Sequence, residues 1–216
     1  MNIEYLLGVF ASIDINSSDV WKVCISFMRH LYRHKPRETV LRSKIENLPN
    51  DHRSKPICLS KLSRLYELVG NHVERKQLLV HALTLARERG DDALVAQTLR
   101  LLADANRWLN LCKEGIEQAK EASEIYEKLG DAMGQARCSN NLARLLLNDG
   151  QLDLAEDAAS RTIGLIPEKG NEYLVSQSNR LLGDMYHSKG EKEKAIHRFQ
   201  KALEIASRFD RQEQLC

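Results

Sequence analysis

"EKLGDAMGQARCSNNLARLLLNDGQLDLAEDAA", residues 127–159, sets Gly130-Asp131 and then Gly150 into a run of helix formers. Working outward, the Gly-Asp step occurs at Gly90-Asp91 and returns as Gly170-Asn171; Asn50-Asp51 and Asp210-Arg211 keep the rhythm without the glycine. Cutting the chain at 50, 90, 130 and 170 aligns four blocks of 40 residues without a gap. Glycine at 90, 130 and 170 suits the left-handed backbone after a helix C-terminus, and the Asp or Asn behind it can cap the next helix.

The aligned columns carry packing information. Leu62, Leu102, Leu142 and Leu182 share one, followed by Ser63, Ala103, Ala143 and Gly183. A leucine fills a core, and a small neighbour lets another helix approach closely. Gly70, Asn110, Gly150 and Gly190 mark a tight turn inside each block. Beyond it come three columns at helical spacing: Arg75, Gly115, Ala155 and Ala195; Leu79, Ala119, Ala159 and Phe199; Ala82, Ala122, Thr162 and Ala202. They form one buried stripe. Each block is therefore a helix A of about 15 residues, a turn and a helix B of about 17. In this scheme Arg75 must direct its charged end out to solvent. Asn106 stands where a leucine or tyrosine is usual, which predicts a slight rotation of that helix A, with Trp108 packed between helices.

Composition agrees with an all-α fold. The 216 residues are 43% hydrophobic, 29% charged and only 6% aromatic, with four prolines. A net charge of +2 from 32 basic and 30 acidic residues gives no one-signed field of the kind that attracts nucleic acid. Five cysteines without a CxxC pair propose neither a disulfide framework nor a zinc knuckle. The N-terminal "MNIEYLLGVFASIDI" lacks a basic region before its apolar stretch, and no run of 18 apolar residues is present. Reduced cysteines in a cytoplasmic setting, without a membrane partner, are the expectation.

The columns resemble the tetratricopeptide repeat family. "ARCSNNLARLLLNDGQLDLAEDAASRTIGLIP" (136–167) places Leu142, Ala143, Leu146, Gly150, Ala155, Ala159 and Pro167 in family positions. "NRLLGDMYHSKGEKEKAIHRFQKALEIA" (179–206) does so with Leu182, Gly183, Tyr186, Gly190, Ala195, Phe199 and Ala202. The resemblance implies a right-handed α-solenoid of antiparallel helix pairs. Four repeats (50–89, 90–129, 130–169, 170–209) are expected, with the truncated start of a fifth. Residues 1–49 do not align. "SSDVWKVCISFMRHLYRHK" (17–35) and "PRETVLRSKIENL" (36–48) read as a helical cap or a degenerate repeat. A 40-residue period with Gly-Asp is similar to the subclass of polarity scaffolds, kinesin light chains and the sensor arms of fungal signal-transduction NTPases. The texture of "RHKPRETVLRSKIENLPNDHR" (33–53) looks most like the last of these.

Catalytic motifs are absent: there is no GxxxxGK[ST], GxSxG, GxGxxG or HExxH. His30 and His34 have a metal-compatible spacing, but Leu31 stands where a catalytic Glu is needed, so surface histidines are the reading. Glu124-Lys128 and similar pairs read as a solvated helix face. No metal or cofactor is expected, and no enzyme activity.

Binding is the better prospect. In a tetratricopeptide architecture helices A line a concave groove, and two outward columns face it: Ser60, Arg100, Asn140 and Arg180, then Arg64, Asp104, Arg144 and Asp184. Asn141 lies beside them. Forked guanidinium and amide donors suit the backbone and carboxylates of an extended peptide; the competing reading pairs Arg100 with Asp104 and Arg180 with Asp184 on a solvated face. The family's chaperone-binding carboxylate clamp is incomplete, because Asp104, Gln177 and Leu181 replace its Asn, Lys and Arg. The expected role is a non-catalytic scaffold for a protein or peptide. The alternative is a self-association module acting through an exposed terminal repeat.

Overall fold

The computed structural model describes residues 42–213 except 44, 53 and 167–170, with side chains through residue 208. The expected helix at 17–35, the His30/His34 pair, Pro167 and Gly170 lie outside the described residues. Eight helices are present among the described residues: α1 (Lys55–Leu68), α2 (His72–Glu88), α3 (Asp92–Trp108), α4 (Cys112–Lys128), α5 (Ala132–Asn148), α6 (Leu152–Leu165), α7 (Glu172–Ser188) and α8 (Lys192–Glu213). They fall into two compact units divided between Asp91 and Asp92.

One device ends most of these helices. Gly130 has φ +69°, its N–H donates to the Glu127 carbonyl (3.0 Å) and the Asp131 N–H donates to the Tyr126 carbonyl (2.9 Å). Both bonds satisfy carbonyls that the helix end would leave bare, in a Schellman arrangement. Gly70, Gly90, Gly150 and Gly190 repeat it, and Asn110 takes φ +60° in the same role. The side chains of Asn71, Asp131 and Asn171 then accept from the N–H groups of Glu74, Gly134 and Leu174, opening the following helix. α6 ends differently: Ile166, before Pro167, is extended (φ −90°, ψ 126°), as a residue preceding proline prefers.

In the first unit α1 packs on α2, and Ile45 joins Cys58, Leu59, Leu62, Tyr66, Leu78, Ala82 and Leu85 in one core. Residues 42, 43, 45 and 46 are helical, within the segment 36–48 read as a helix. The buried Lys55 ammonium holds the preceding loop, donating to the carbonyls of Glu46 (3.1 Å) and Leu48 (2.6 Å) and to Asn50 Oδ1 (2.8 Å). Arg75 corrects an expectation. Its side chain is 1% exposed, and the guanidinium meets Glu67 Oε2 at 3.2 Å instead of reaching solvent. The carboxylate at the end of α1 supplies the charge that lets an arginine occupy a small-residue column.

In the second unit α3 pairs with α4, α5 with α6 and α7 with α8; α4 packs on α5, α6 on α7, and α3, α5 and α7 pack in succession. The core joins Ala103, Ile116, Ala119, Ala143, Leu145, Leu182 and Met185. The small column is sterically enforced. A Cβ on Gly183 would stand 2.5 Å from the Phe199 ring; outside that column, one on Gly134 would stand 2.3 Å from Tyr126. Burial raises the Cys138 thiol to about 12, so it behaves as a small core residue.

Three further expectations change here. Helix α3 keeps its register: Asn106 is fully buried in the Tyr66/Leu146/Tyr186 column and donates to Gln118 Oε1 (2.8 Å). Trp108 is 55% exposed, with the Arg107 guanidinium 4.4 Å from its ring centroid, so it packs outward and not between helices. A local amide partner on α4 makes rotation unnecessary. At the other end, α8 continues through Asp210 to Glu213, across the position where the truncated fifth block was expected to start. Without glycine at 210 nothing draws the chain into the left-handed conformation.

The α6/α7 contact is pinned by charge. Tyr186 donates to Glu156 Oε1 (2.6 Å), while Lys189 reaches Glu156 Oε2 (2.6 Å) and Asp153 Oδ1 (2.7 Å). Hydrogen bonds from Lys189 and then Tyr186 hold the Glu156 carboxyl below its ordinary value. A carboxyl depressed by folding stabilises the native state above its unfolded pKa, and that contribution disappears as pH falls through the native value. Glu156→Gln is therefore expected to be less stable than the parent at neutral pH. The difference should shrink in acid denaturation profiles below the usual glutamate range.

Candidate functional site

The A-helix face of the second unit is built by α3, α5 and α7. Helical spacing places Arg100, Asp104 and Arg107 together on α3, Asn141 and Arg144 on α5, and Tyr173, Gln177, Arg180 and Asp184 on α7. Polar bonds stitch these helices. Asn141 Nδ2 donates to the Arg100 carbonyl (3.1 Å), and an Arg144 amino group donates to Gln177 Oε1 (2.7 Å).

Arg144 is the centre. Its side chain is half-buried, and its Nε is enclosed with no acceptor in reach. Burial disfavours its charged form, and the guanidinium groups of Arg107 and Arg180 push the same way, with Asp104 opposing. Asp104 also accepts both Nε (3.2 Å) and an amino group (3.0 Å) of Arg107, and Asp184 accepts from Arg180 (3.2 Å). The Arg180–Asp184 pair matches the solvated-face reading. Arg107, Arg144 and Arg180 here face two aspartates, while the Arg100 guanidinium lies toward Tyr126 and Cys138, so the local balance is cationic although the chain is near neutral.

Of the other expected residues, two lie in the first unit and one is buried within the second. Ser60 and Arg64 belong to the first unit, where Ser60 is buried and Arg64 exposed. Asn140 is 3% exposed and donates to Ser178 Oγ (3.0 Å). Ser60 and Asn140 are thus withdrawn as partner contacts; for Asn140 the succession of A helices turns its column into an interhelix seam. Arg107, Gln177 and Tyr173 were missed, although positions i+3 and i+7 from Arg100 and Asp104, and i−3 and i−7 from Arg180, flag them.

Elsewhere in this unit a cleft of about 690 Å³ opens beside α4 and α6, floored by Ile116, Leu142, Leu146 and Ala158. Its rim carries Lys113, Lys120 and Arg161 against Glu117, Glu124, Glu127, Asp149 and Asp157, an acidic balance opposite to that of the Arg144 face. Among the described residues no group of three or more His, Cys, Asp or Glu side chains could hold a metal. No helix among them is long and apolar enough to cross a membrane.

These helix pairs define an all-α, helical-repeat solenoid of the tetratricopeptide type. Residues 177–209 match the tetratricopeptide repeat family. Among solved structures, BtubC (BKLC) from P. vanneervenii superposes with a TM-score of 0.74 at 20% identity, covering 89% of this chain and 80% of that one. A variant of a Podosopora anserina protein of nearly identical TPR-like repeats, described as a kinesin light chain, gives 0.71 at 15% identity, over 88% and 95% of the two chains. A Rap protein complexed with competence and sporulation factor gives 0.75 at 14% identity, over 88% of this chain and 54% of that one. At such identities the likeness is one of fold. No curated protein matches the sequence at a significant level.

Proposed function

We propose that the protein is a non-catalytic interaction scaffold whose α3/α5/α7 face takes an extended, carboxylate-rich segment of a protein partner, anchored at Arg144. The observation that carries this reading is a half-buried guanidinium flanked by two further arginines and compensated by too few carboxylates. An incoming carboxylate replaces like-charge repulsion with charge-assisted hydrogen bonds in a partly shielded setting. Tyr173, 60% exposed beside this cluster, offers a surface for an apolar residue next to the acidic ones. The tetratricopeptide fold suits this role, since its A helices present a continuous row of side chains to a bound chain. In a larger signalling protein the same face would serve as a ligand-sensing arm, the role implied by the resemblance of residues 33–53 to fungal NTPase arms.

The test is fluorescence anisotropy with labelled peptides rich in Glu and Asp, in Gln and Ser, or in Lys. The acidic peptide is expected to bind, more weakly as salt rises. Equal binding of the neutral peptide, insensitive to salt, would remove the electrostatic basis of the reading.

A further inference from the structure

The last hairpin of the second unit carries an apolar face that the earlier hairpins cover. Beside α7 and α8 lies a depression of about 420 Å³ lined by Glu172, Tyr173 and Arg180 from α7 and by Phe199, Ala202 and Leu203 from α8. The residues forty positions earlier show what such a face looks like when occupied. Asn140, in the column of Arg180, is sealed under α7 and bonded to Ser178; Thr162, in the column of Ala202, is fully buried; Ile163, in the column of Leu203, packs into the core. Leu203 itself is 69% exposed and the Arg180 side chain 55%.

We infer that a second copy of this chain docks on this face, with α7 antiparallel to the α7 of its mate about a twofold axis near Ser176. The argument is charge complementarity. Glu172 and Arg180 bracket the α7 stripe eight residues apart, about 12 Å along the helix. A twofold axis between them sets Glu172 of each copy beside Arg180 of the other, twice. Parallel pairing would instead oppose like charges. Glu172 and Arg180 both line the depression, and Arg180 also meets Asp184 at 3.2 Å within its own copy. Ser176 lies midway, and its hydroxyl turns inward onto the Ala202 carbonyl (2.9 Å), leaving a short side chain where the two helices approach. Leu203 from each α8 supplies apolar area beside the polar seam, and an isologous contact of this kind closes at two copies.

The experiment is light scattering and sedimentation equilibrium on the full chain over a dilution series. A dimer that dissociates on dilution is expected. Leu203→Glu should weaken it by at least about tenfold, with helical content and melting temperature kept because Leu203 is exposed. Glu172→Arg and Arg180→Glu should each weaken the dimer, and the two together should restore it by reversing both ion pairs. A chain that stays monomeric at every concentration overturns the inference, as does a dimer indifferent to Leu203→Glu. Failure of the double swap to recover what either single swap loses rules out the antiparallel register. Peptide binding to Arg144 in a monomeric Leu203→Glu variant separates this result from the function proposed above.

Discussion

Replacing Leu182 by alanine is expected to lower the unfolding free energy by about 2–5 kcal/mol, read as a shifted urea midpoint in the transition of the second unit. The side chain is fully buried and packs in the cluster that contains Leu145, Met185 and Tyr186, drawn from α5 and α7. Its truncation removes transfer free energy and leaves a void that rigid helix pairs fill incompletely. The complementary change, Ala143→Leu, should destabilise by about 1–3 kcal/mol through overpacking, since Ala143 has no exposed surface and lies in the same cluster. Leu203→Ala is the control: the residue is exposed, and a change within about 0.5 kcal/mol is expected. Equal effects of Leu182→Ala and Leu203→Ala would mean that the column assignment is wrong.

The second large effect concerns binding. Arg144→Gln should lower affinity for a Glu-rich peptide by about tenfold to a hundredfold, the loss of one or two charge-assisted hydrogen bonds in a shielded position. Arg180→Gln should lower it less, because that side chain is mostly exposed, already paired with Asp184 and screened by water. Stability should move the other way. Arg144 carries a charge that burial and two neighbouring cations disfavour, so the glutamine variant should melt no lower than the parent. Anisotropy titrations with parallel thermal melts read both quantities. A variant that loses stability in step with affinity would show Arg144 to be a structural residue.

Much of this architecture could be read from residue spacing. Period and turn chemistry sufficed for the helix pairs, because a glycine or asparagine able to take positive φ ends every helix from α1 to α5, and α7 as well. The large-small column anticipated the A/B contacts, down to Gly183 beneath Phe199. What spacing could not convey was the fate of polar side chains in buried columns. Arg75 stays inside because Glu67 lies within reach, and Asn106 because Gln118 does. Both partners sit on the neighbouring helix of the hairpin, so neither follows from the column itself. The candidate face was half legible: Asp104, Arg144, Arg180 and Asp184 fall on it, while the Arg100 side chain lies toward Tyr126 and Asn140 went to an interhelix bond. The cationic centre emerged only with Arg107 placed against Asp104 and close to Arg144.

The most direct test of the A-helix face as the binding surface is heteronuclear NMR of the labelled chain titrated with a Glu-rich peptide, following backbone amides and arginine Nε–H signals. The account predicts shifts concentrated at Arg100, Asn141, Arg144, Gln177 and Arg180, with the Arg144 Nε–H moving most and the amides of α4 and α6 remaining still. Shifts concentrated on α4 and α6, with the Arg144 signal unmoved at saturation, would contradict it.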